Sequence, residues 1–167
     1  MRRILIVEPD PELARELFLV FHSEYGAFER DRYEPEIAGS VAEAAEKARS
    51  VEFDCAILDV NLPEMAGYEA VPFMKAIDDN LPLIVTGDEN SIELEAKIRE
   101  QDVYYYHLRC FGLDELKLAV RSVFETLQEV RRNRQRGKTG TRPVSLKRLT
   151  LATAKRSPMQ RFRQEST

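Results

Sequence analysis

Several features of other protein classes are missing from this chain. Its 167 residues include two cysteines, two histidines and no tryptophan. Cys55 and Cys110 show no metal-ligand spacing and fit a reducing compartment, which argues against a disulfide framework and a zinc site. No apolar run is long enough to cross a bilayer, and the run Ile4–Val7 is too short for a signal peptide. We therefore expect a cytoplasmic protein built around one domain-sized core.

Acidic and basic residues are unevenly distributed, although the net charge is only −4. Residues 131–167, here called the basic tail, hold twelve Lys or Arg and one acid, a net charge of +11. Residues 1–130 hold 13 bases and 28 acids, a net charge of −15. This division predicts a globular domain over 1–130 and a flexible extension over 131–167. A tail of this charge suits contact with nucleic acid, anionic lipid or an acidic protein face.

Apolar segments alternate with segments of helical periodicity along residues 1–130. The predicted strands are Arg2–Val7, Tyr33–Ala38, Phe53–Leu58, Leu81–Val85 and Val103–Leu108. The predicted helices run from Pro11 to about Tyr25, from Ser40 to Ser50, from Gly67 to Ile77, from Ser91 to Glu100 and from Leu113 to Val130. Five strands alternating with five helices predict an α/β fold with a doubly wound parallel sheet.

Reactive side chains follow four of these strands. Glu8, Asp59, Thr86 and Arg109 stand at or near the strand ends, and the carboxyl ends of parallel strands share one edge of a sheet, where ligands bind. A carboxylate can attack phosphorus, and a hard cation such as Mg²⁺ offsets the repulsion between acid and phosphate. A hydroxyl and a cation can then hold the phosphoryl oxygens. This set is therefore suited to phosphorylation of a carboxylate.

Four segments carry a resemblance to a known family. ILIVEPD begins at residue 4, LDVNLPEMAGYE at 58, LPLIVTGD at 81 and FGLDEL at 111. In this order, and on the predicted strands and helices, they resemble the receiver domain of bacterial response regulators over about residues 1–130. The resemblance implies a flavodoxin-like five-stranded sheet of strand order 2-1-3-4-5 with five helices.

The resemblance also implies a metal-binding phosphoacceptor site. Asp59 matches the phosphorylated aspartate, Glu8 an acid near Mg²⁺, and Asn61 the residue whose backbone carbonyl binds the metal. The family's second acid, a direct metal ligand, falls on Pro9, which has no ligand side chain. Asp10 is left with two alternatives, as a replacement ligand or as the N-cap of the first helix.

The resemblance assigns the signalling residues to the later strands. Thr86 matches the hydroxyl that closes onto the phosphoryl group, and Tyr106 matches the aromatic switch. Arg109-Cys110 replaces the family's lysine-proline pair, and arginine is not equivalent to lysine. Two roles are therefore open for Arg109 as well: it binds the phosphoryl group, or it forms a fixed salt bridge to Asp59.

Two functions are compatible with these residues. The first is a receiver of a two-component system that accepts a phosphoryl group on Asp59 from a sensor histidine kinase or phosphotransfer protein. Such a receiver is not an enzyme beyond its self-catalysed phosphoryl transfer, signals by contact with a downstream protein, and can form a homodimer. The second is a pseudo-receiver that binds partners without phosphorylation, with the basic tail docking on nucleic acid or an acidic partner.

Overall fold

The computed structural model describes residues 2–23, 33–65, 67–88 and 92–135, in which five strands alternate with five helices. The strands are β1 Arg2–Val7, β2 Tyr33–Ala38, β3 Cys55–Asp59, β4 Leu83–Gly87 and β5 Tyr105–Leu108. The helices are α1 Pro11–Ser23, α2 Val41–Ser50, α3 Gly67–Ile77, α4 Ile92–Arg99 and α5 Leu113–Gln135, with a 3₁₀ turn at Arg109–Phe111. The predicted α/β class is confirmed.

The five strands form one parallel sheet in the order β2-β1-β3-β4-β5. This is the order that the family resemblance implies. Because β1 pairs with β2 on one side and β3 on the other, the chain changes direction across the sheet at β1. The carboxyl ends of β1 and β3 therefore flank the crevice where doubly wound folds bind ligands.

The sheet is covered on both faces, as its continuous apolar strands predict. Leu5, Val7, Leu58 and Val85 belong to one buried cluster, which also includes residues of α2, α3 and α4 such as Met74. The alternating strand residues are buried as well; they include Ile4, Ile6, Ile57 and Ile84. The strands are therefore buried on both sides of the sheet.

Contacts divide the chain into two units, residues 1–124 and residues 125–167. The sheet, the helices α1 to α4 and the first half of α5 belong to the first unit. Of the second unit, the described part is residues 125–135, which form the end of α5. The predicted flexibility of the basic tail lies outside the described residues from 136 onward.

Three strands begin two residues later than predicted. β3 starts at Cys55 instead of Phe53, β4 at Leu83 instead of Leu81, and β5 at Tyr105 instead of Val103. Phe53 and Leu81 are buried but precede the ladder, so their hydrophobicity reflects burial and not strand pairing. β3 and β4 also extend further than predicted, which places Asp59 and Thr86 inside the strands.

The predicted helix limits are less accurate at the C-terminal ends. The sequence predicts an end of α5 near Val130, but the helix continues to Gln135. Arginine and glutamine are good helix formers, and no glycine or proline lies between Leu113 and Gly137, so the polar residues prolong the helix. α1 is described only to Ser23, and its predicted end near Tyr25 lies outside the described residues. No helix in the described ranges has the length and apolar character needed to span a membrane.

Candidate functional site

Arg109 is the centre of a cluster of ion pairs at the carboxyl edge of the sheet. It begins the 3₁₀ turn that follows β5. Its Nη1 lies 3.3 Å from Oδ2 of Asp59, and its Nη2 lies 3.1 Å from Oδ1 of the same carboxylate. Nη1 is also 3.3 Å from Oε2 of Glu8, and Nε is 2.6 Å from Oδ1 of Asp88. One guanidinium thus joins the ends of β1, β3 and β4.

The inner part of this cluster is buried. The side chains of Glu8 and Asp59 are 2% and 3% exposed, while Arg109 is 20% exposed and Asp88 is 63% exposed. Buried carboxylates are rare unless a cation pairs with them. Arg109 therefore serves first as the counter-ion that makes burial of Glu8 and Asp59 tolerable.

The charge of Glu8 is strongly affected by its surroundings. Burial, the largest cause, raises the pKa of Glu8 from 4.5 to about 7; the nearby Asp59 carboxylate also raises it. A hydrogen bond from the Asp10 backbone N–H and the charge of Arg109 act in the opposite direction. Burial also lowers the pKa of Arg109, but the carboxylates of Asp59, Asp88 and Glu8 outweigh it and raise that pKa above its usual value.

Backbone groups fix the orientation of both buried carboxylates. The N–H of Asn61 donates to Oδ1 of Asp59 at 3.0 Å, and the N–H of Asp10 donates to Oε1 of Glu8 at 3.0 Å. Both oxygens of Asp59 therefore accept hydrogen bonds from the protein, Oδ1 from Asn61 and Arg109, and Oδ2 from Arg109. Arg109 would have to move before another group could take its place on either oxygen of this carboxylate.

Two further residues named from the sequence lie close to this cluster in the sheet. Thr86 pairs with Asp59 in the β3–β4 ladder and is buried. Tyr106 pairs with Val85 in the β4–β5 ladder and is buried within the apolar cluster on one face of the sheet. The structure thus brings the predicted site residues to one edge of the sheet. The carboxylates of Glu8 and Asp59 contact Arg109, and the hydroxyl of Thr86 is on the strand beside Asp59.

The residues present do not fit Mg²⁺. Pro9 offers no side-chain ligand, and Oδ1 of Asp10 accepts hydrogen bonds from the backbone N–H of Glu12 at 2.8 Å and Leu13 at 3.2 Å. Asp10 thus caps α1. Among the residues that the structure describes, no group of three or more His, Cys, Asp or Glu could hold a metal ion. A divalent cation requires several hard oxygen ligands, whereas here a guanidinium lies between the two buried carboxylates.

Asp88 is the one member of the cluster that the sequence analysis did not name. It follows β4 directly, at the same edge of the sheet as Asp59 and Glu8. Its acidic type and its place two residues after Thr86 were visible in the sequence. Its contact with Arg109 could not be seen in the sequence, because that contact depends on how the turn after β5 places the arginine side chain.

The comparisons with known proteins identify the family. The model of the response regulator receiver domain matches residues 4–121, which is more than half of the chain. The chain belongs to the response regulator receiver family. Receivers are signalling modules of two-component systems and not typical enzymes; they interact with histidine kinases or phosphotransfer proteins, and they generally bind Mg²⁺ in an acidic pocket. In this receiver Arg109 contacts both carboxylates of the acidic pocket.

Two curated relatives show how far the likeness to whole proteins extends. The cell cycle transcriptional regulator CtrA of Caulobacter vibrioides is 24% identical over 72% of this chain and 49% of its own length. The sporulation initiation phosphotransferase F of Bacillus subtilis is 23% identical over 65% of this chain and 94% of its own length. This receiver chain therefore spans about half the length of CtrA and nearly all of the phosphotransferase.

Solved structures support the fold. A CheY-like receiver from Methanospirillum hungatei aligns with a TM-score of 0.61 at 22% identity, covering 75% of this chain and 98% of that chain. The response regulator TrrA from Thermotoga maritima, solved in complex with Mg²⁺ and BeF, aligns with a TM-score of 0.62 at 24% identity, covering 74% and 99%. At these identities the likeness establishes the receiver fold alone.

Proposed function

We propose that this chain is a pseudo-receiver: a signalling module with the receiver fold that acts by protein contact and without metal-dependent phosphorylation of Asp59. The observation that carries the proposal is the contact of Arg109 with both oxygens of Asp59. The same guanidinium also contacts Glu8. Residues 1–130 form the proposed module, and the basic tail is its extension.

The charges of the cluster support this function. Three carboxylates surround one guanidinium, so the group carries a net negative charge when all are ionised. An incoming phosphoryl group would add further negative charge to this cluster. Asp59 would also have to give up bidentate hydrogen bonds to Arg109, which are among the stronger contacts in proteins. Both effects oppose attack by Asp59 on phosphorus.

A second candidate is acceptance of a phosphoryl group on Asp59 from a histidine kinase or phosphotransfer protein. The position of Thr86 beside Asp59 favours it, because a hydroxyl there can donate to a phosphoryl oxygen. In that case Arg109 would leave the carboxylate and bind the phosphoryl oxygens, a geometry to which a guanidinium is well suited. Self-catalysed transfer to and from Asp59 belongs to this candidate.

The proposed partners are proteins in the cytoplasm and, for the basic tail, nucleic acid or an acidic partner. They include a sensor histidine kinase or phosphotransfer protein, a downstream target, and a second copy of the chain, since an NtrC4 receiver domain that resembles this fold was solved as a dimer. The charge of the basic tail supports docking on nucleic acid or an acidic partner.

A phosphorylation assay distinguishes the two candidates. The full chain is treated with a small phosphodonor and Mg²⁺, and the intact protein mass is measured. We expect no adduct on the wild type. The double variant Pro9→Asp, Arg109→Lys restores the ligand and lysine positions of the family and should gain one labile phosphoryl group. Adding Asp59→Asn to the double variant should abolish that adduct.

A labile adduct on the wild type that disappears in Asp59→Asn would overturn the pseudo-receiver proposal and establish the second candidate. Circular dichroism of each variant checks that loss of labelling does not reflect loss of folding. A double variant that folds but stays unlabelled would show that Pro9 and Arg109 are not what prevents phosphorylation.

A further inference from the structure

His107 is a buried histidine that neither candidate function uses. It lies on β5, it is 1% exposed, and its Nδ1 has no hydrogen-bond partner among the residues that the structure describes. Burial of a polar nitrogen without a partner costs free energy, and most buried polar atoms in proteins are paired. A second state of the molecule in which this nitrogen is paired would remove that cost.

A hydrogen bond joins β5 to α5 two residues before His107. Tyr105 and His107 alternate with Tyr106 along the strand, so their side chains project from the same face of the sheet. The hydroxyl of Tyr105 donates to Oε1 of Glu115 in the first turn of α5. The carboxylate of Glu115 therefore lies on the face of the sheet from which His107 projects.

Three influences set the charge of His107. Burial, the largest, lowers its pKa from the usual 6.5; the Glu115 carboxylate raises that pKa, and the Arg109 guanidinium lowers it. On the side of β4, the residue paired with His107 in the ladder is Thr86, which is uncharged. The imidazole is therefore neutral at neutral pH, and it gains a proton only in acid.

We propose that His107, Glu115 and Tyr105 form an acid-responsive switch, in which the protonated imidazole binds the Glu115 carboxylate in place of the Tyr105 hydroxyl. Addition of a proton makes both ring nitrogens donors, so Nδ1 then needs an acceptor. Hydrogen bonds between two ionised groups are stronger than those from a neutral hydroxyl, and a buried cation requires a nearby anion. Tyr105 is only half-buried, so water can replace the carboxylate as its acceptor.

The exchange changes the contact between β5 and α5. At neutral pH Tyr105 connects the strand to the helix through Glu115, whereas in acid His107 makes this connection and the tyrosine hydroxyl turns to water. The ligand that regulates this edge of the sheet is thus the proton. The inference does not depend on whether Asp59 is phosphorylated.

NMR titration of the full chain tests the switch. The chain has two histidines, so the imidazole nitrogen spectrum of a ¹⁵N-labelled sample contains two ring systems, and His22→Gln assigns them. The signal of His107 should titrate with a midpoint below pH 6.5. The ring Cζ signal of Tyr105, assigned with Tyr105→Phe, should shift with the same midpoint, because its hydroxyl changes acceptor.

Two substitutions should move the titration midpoint of His107 in opposite directions. Glu115→Gln removes the attracting charge and should lower the midpoint. Tyr105→Phe removes the hydroxyl that competes for Glu115 and should raise it. Tyr104→Phe is the matched control: the hydroxyl of Tyr104 is hydrogen-bonded to Ser122 of the same helix at 2.9 Å, so its removal should leave the midpoint unchanged.

A His107 midpoint that is the same in Tyr105→Phe as in the wild type would overturn the inference. So would a Tyr105 signal that stays constant through this midpoint. The second result comes from the wild type alone, so it decides the question even where a variant fails to fold. The titration uses no phosphodonor, so its outcome is independent of the phosphorylation assay on Asp59.

Discussion

Arg109 and Asp59 are joined by two hydrogen bonds, from Nη1 to Oδ2 at 3.3 Å and from Nη2 to Oδ1 at 3.1 Å. Such a bidentate pair orients both groups and neutralises a carboxylate that is almost completely buried. The pair links the turn after β5 to the end of β3, and its contribution to stability and to titration can be measured.

Removal of the guanidinium should be strongly destabilising. Arg109→Ala leaves Glu8 and Asp59 buried without their counter-ion, which typically costs about 3–5 kcal/mol of unfolding free energy. Urea denaturation at neutral pH measures the loss. Arg99→Ala is the matched control, because Arg99 pairs with Glu95 on an exposed surface of α4, and removal of such a pair costs about 1 kcal/mol or less. Equal losses in the two variants would contradict a structural role for the buried pair.

Stability should depend on the protonation of Glu8. Because its pKa is about 7 when folded and 4.5 ordinarily, the folded protein binds the extra proton between these values, and this contribution to stability falls as pH rises through the window. Glu8→Gln removes the contribution. The unfolding free energy of Glu8→Gln minus that of the wild type should therefore increase from pH 5 to pH 7, by up to about 3 kcal/mol, and then level off. Denaturation curves at several pH values test this, and a difference that is independent of pH would contradict it.

The Asp59 carboxylate should keep the pKa of Glu8 higher than it would be without Asp59. The Asp59 carboxylate is one of the causes that raise this pKa, although burial is the larger one. In Asp59→Asn the pKa of Glu8 should fall but stay above 4.5. Carbon-13 NMR titration of the labelled glutamate carboxyl measures the change. A pKa that does not move would show that the two carboxylates do not interact across the cluster.

The outer member of the cluster should matter less than the inner ones. Asp88 is 63% exposed, so water and salt weaken its contact with Arg109 despite the distance of 2.6 Å. Asp88→Asn should lower the unfolding free energy by about 1 kcal/mol or less, and added salt should reduce the difference further. A loss as large as that of Arg109→Ala would place the main stabilising contact at Asp88.

If the basic tail binds nucleic acid, truncation of the chain after Gln135 should abolish that binding. The removed residues 136–167 include nine Lys or Arg and one acid, whereas the truncated chain keeps all of α5. The affinity of the full chain for duplex DNA should fall by roughly 10³-fold between about 50 and about 200 mM salt. Fluorescence anisotropy measures both effects. Binding that is retained after truncation, or that is indifferent to salt, would remove nucleic acid as the tail's partner.

The fold could be read from the sequence because alternation of buried strands and periodic helices is a local pattern with few solutions. The positions of Glu8, Asp59 and Arg109 at one edge followed from the same logic, since parallel strands end together. The contact of Arg109 with Asp59 is one of the two alternatives that the sequence left open, and the structure shows this contact, whereas phosphoryl binding by Arg109 stays a prediction. Strand limits were less predictable because Phe53 and Leu81 are buried without pairing in the sheet.

Packing between neighbouring strands marks a different limit of sequence reasoning. Tyr106 lies in the predicted fifth strand, and its role as an aromatic switch stays a prediction. That Gly87 on the neighbouring strand leaves room for the hydroxyl of Tyr106 depends on packing across β4 and β5, which no spacing along the chain reveals. The reach of Arg109 to Asp88 is of the same kind, since it depends on a short turn of three residues.

The cation of this site is covalently part of the chain. A bound metal ion exchanges with the surroundings, so its occupancy follows the concentration of that ion and responds to chelators. A guanidinium tethered a few ångströms from its carboxylates has an effective concentration that no dilution changes. Under the pseudo-receiver proposal, the charge balance at Asp59 is therefore set when the protein folds and does not follow the concentration of divalent ions in the cell.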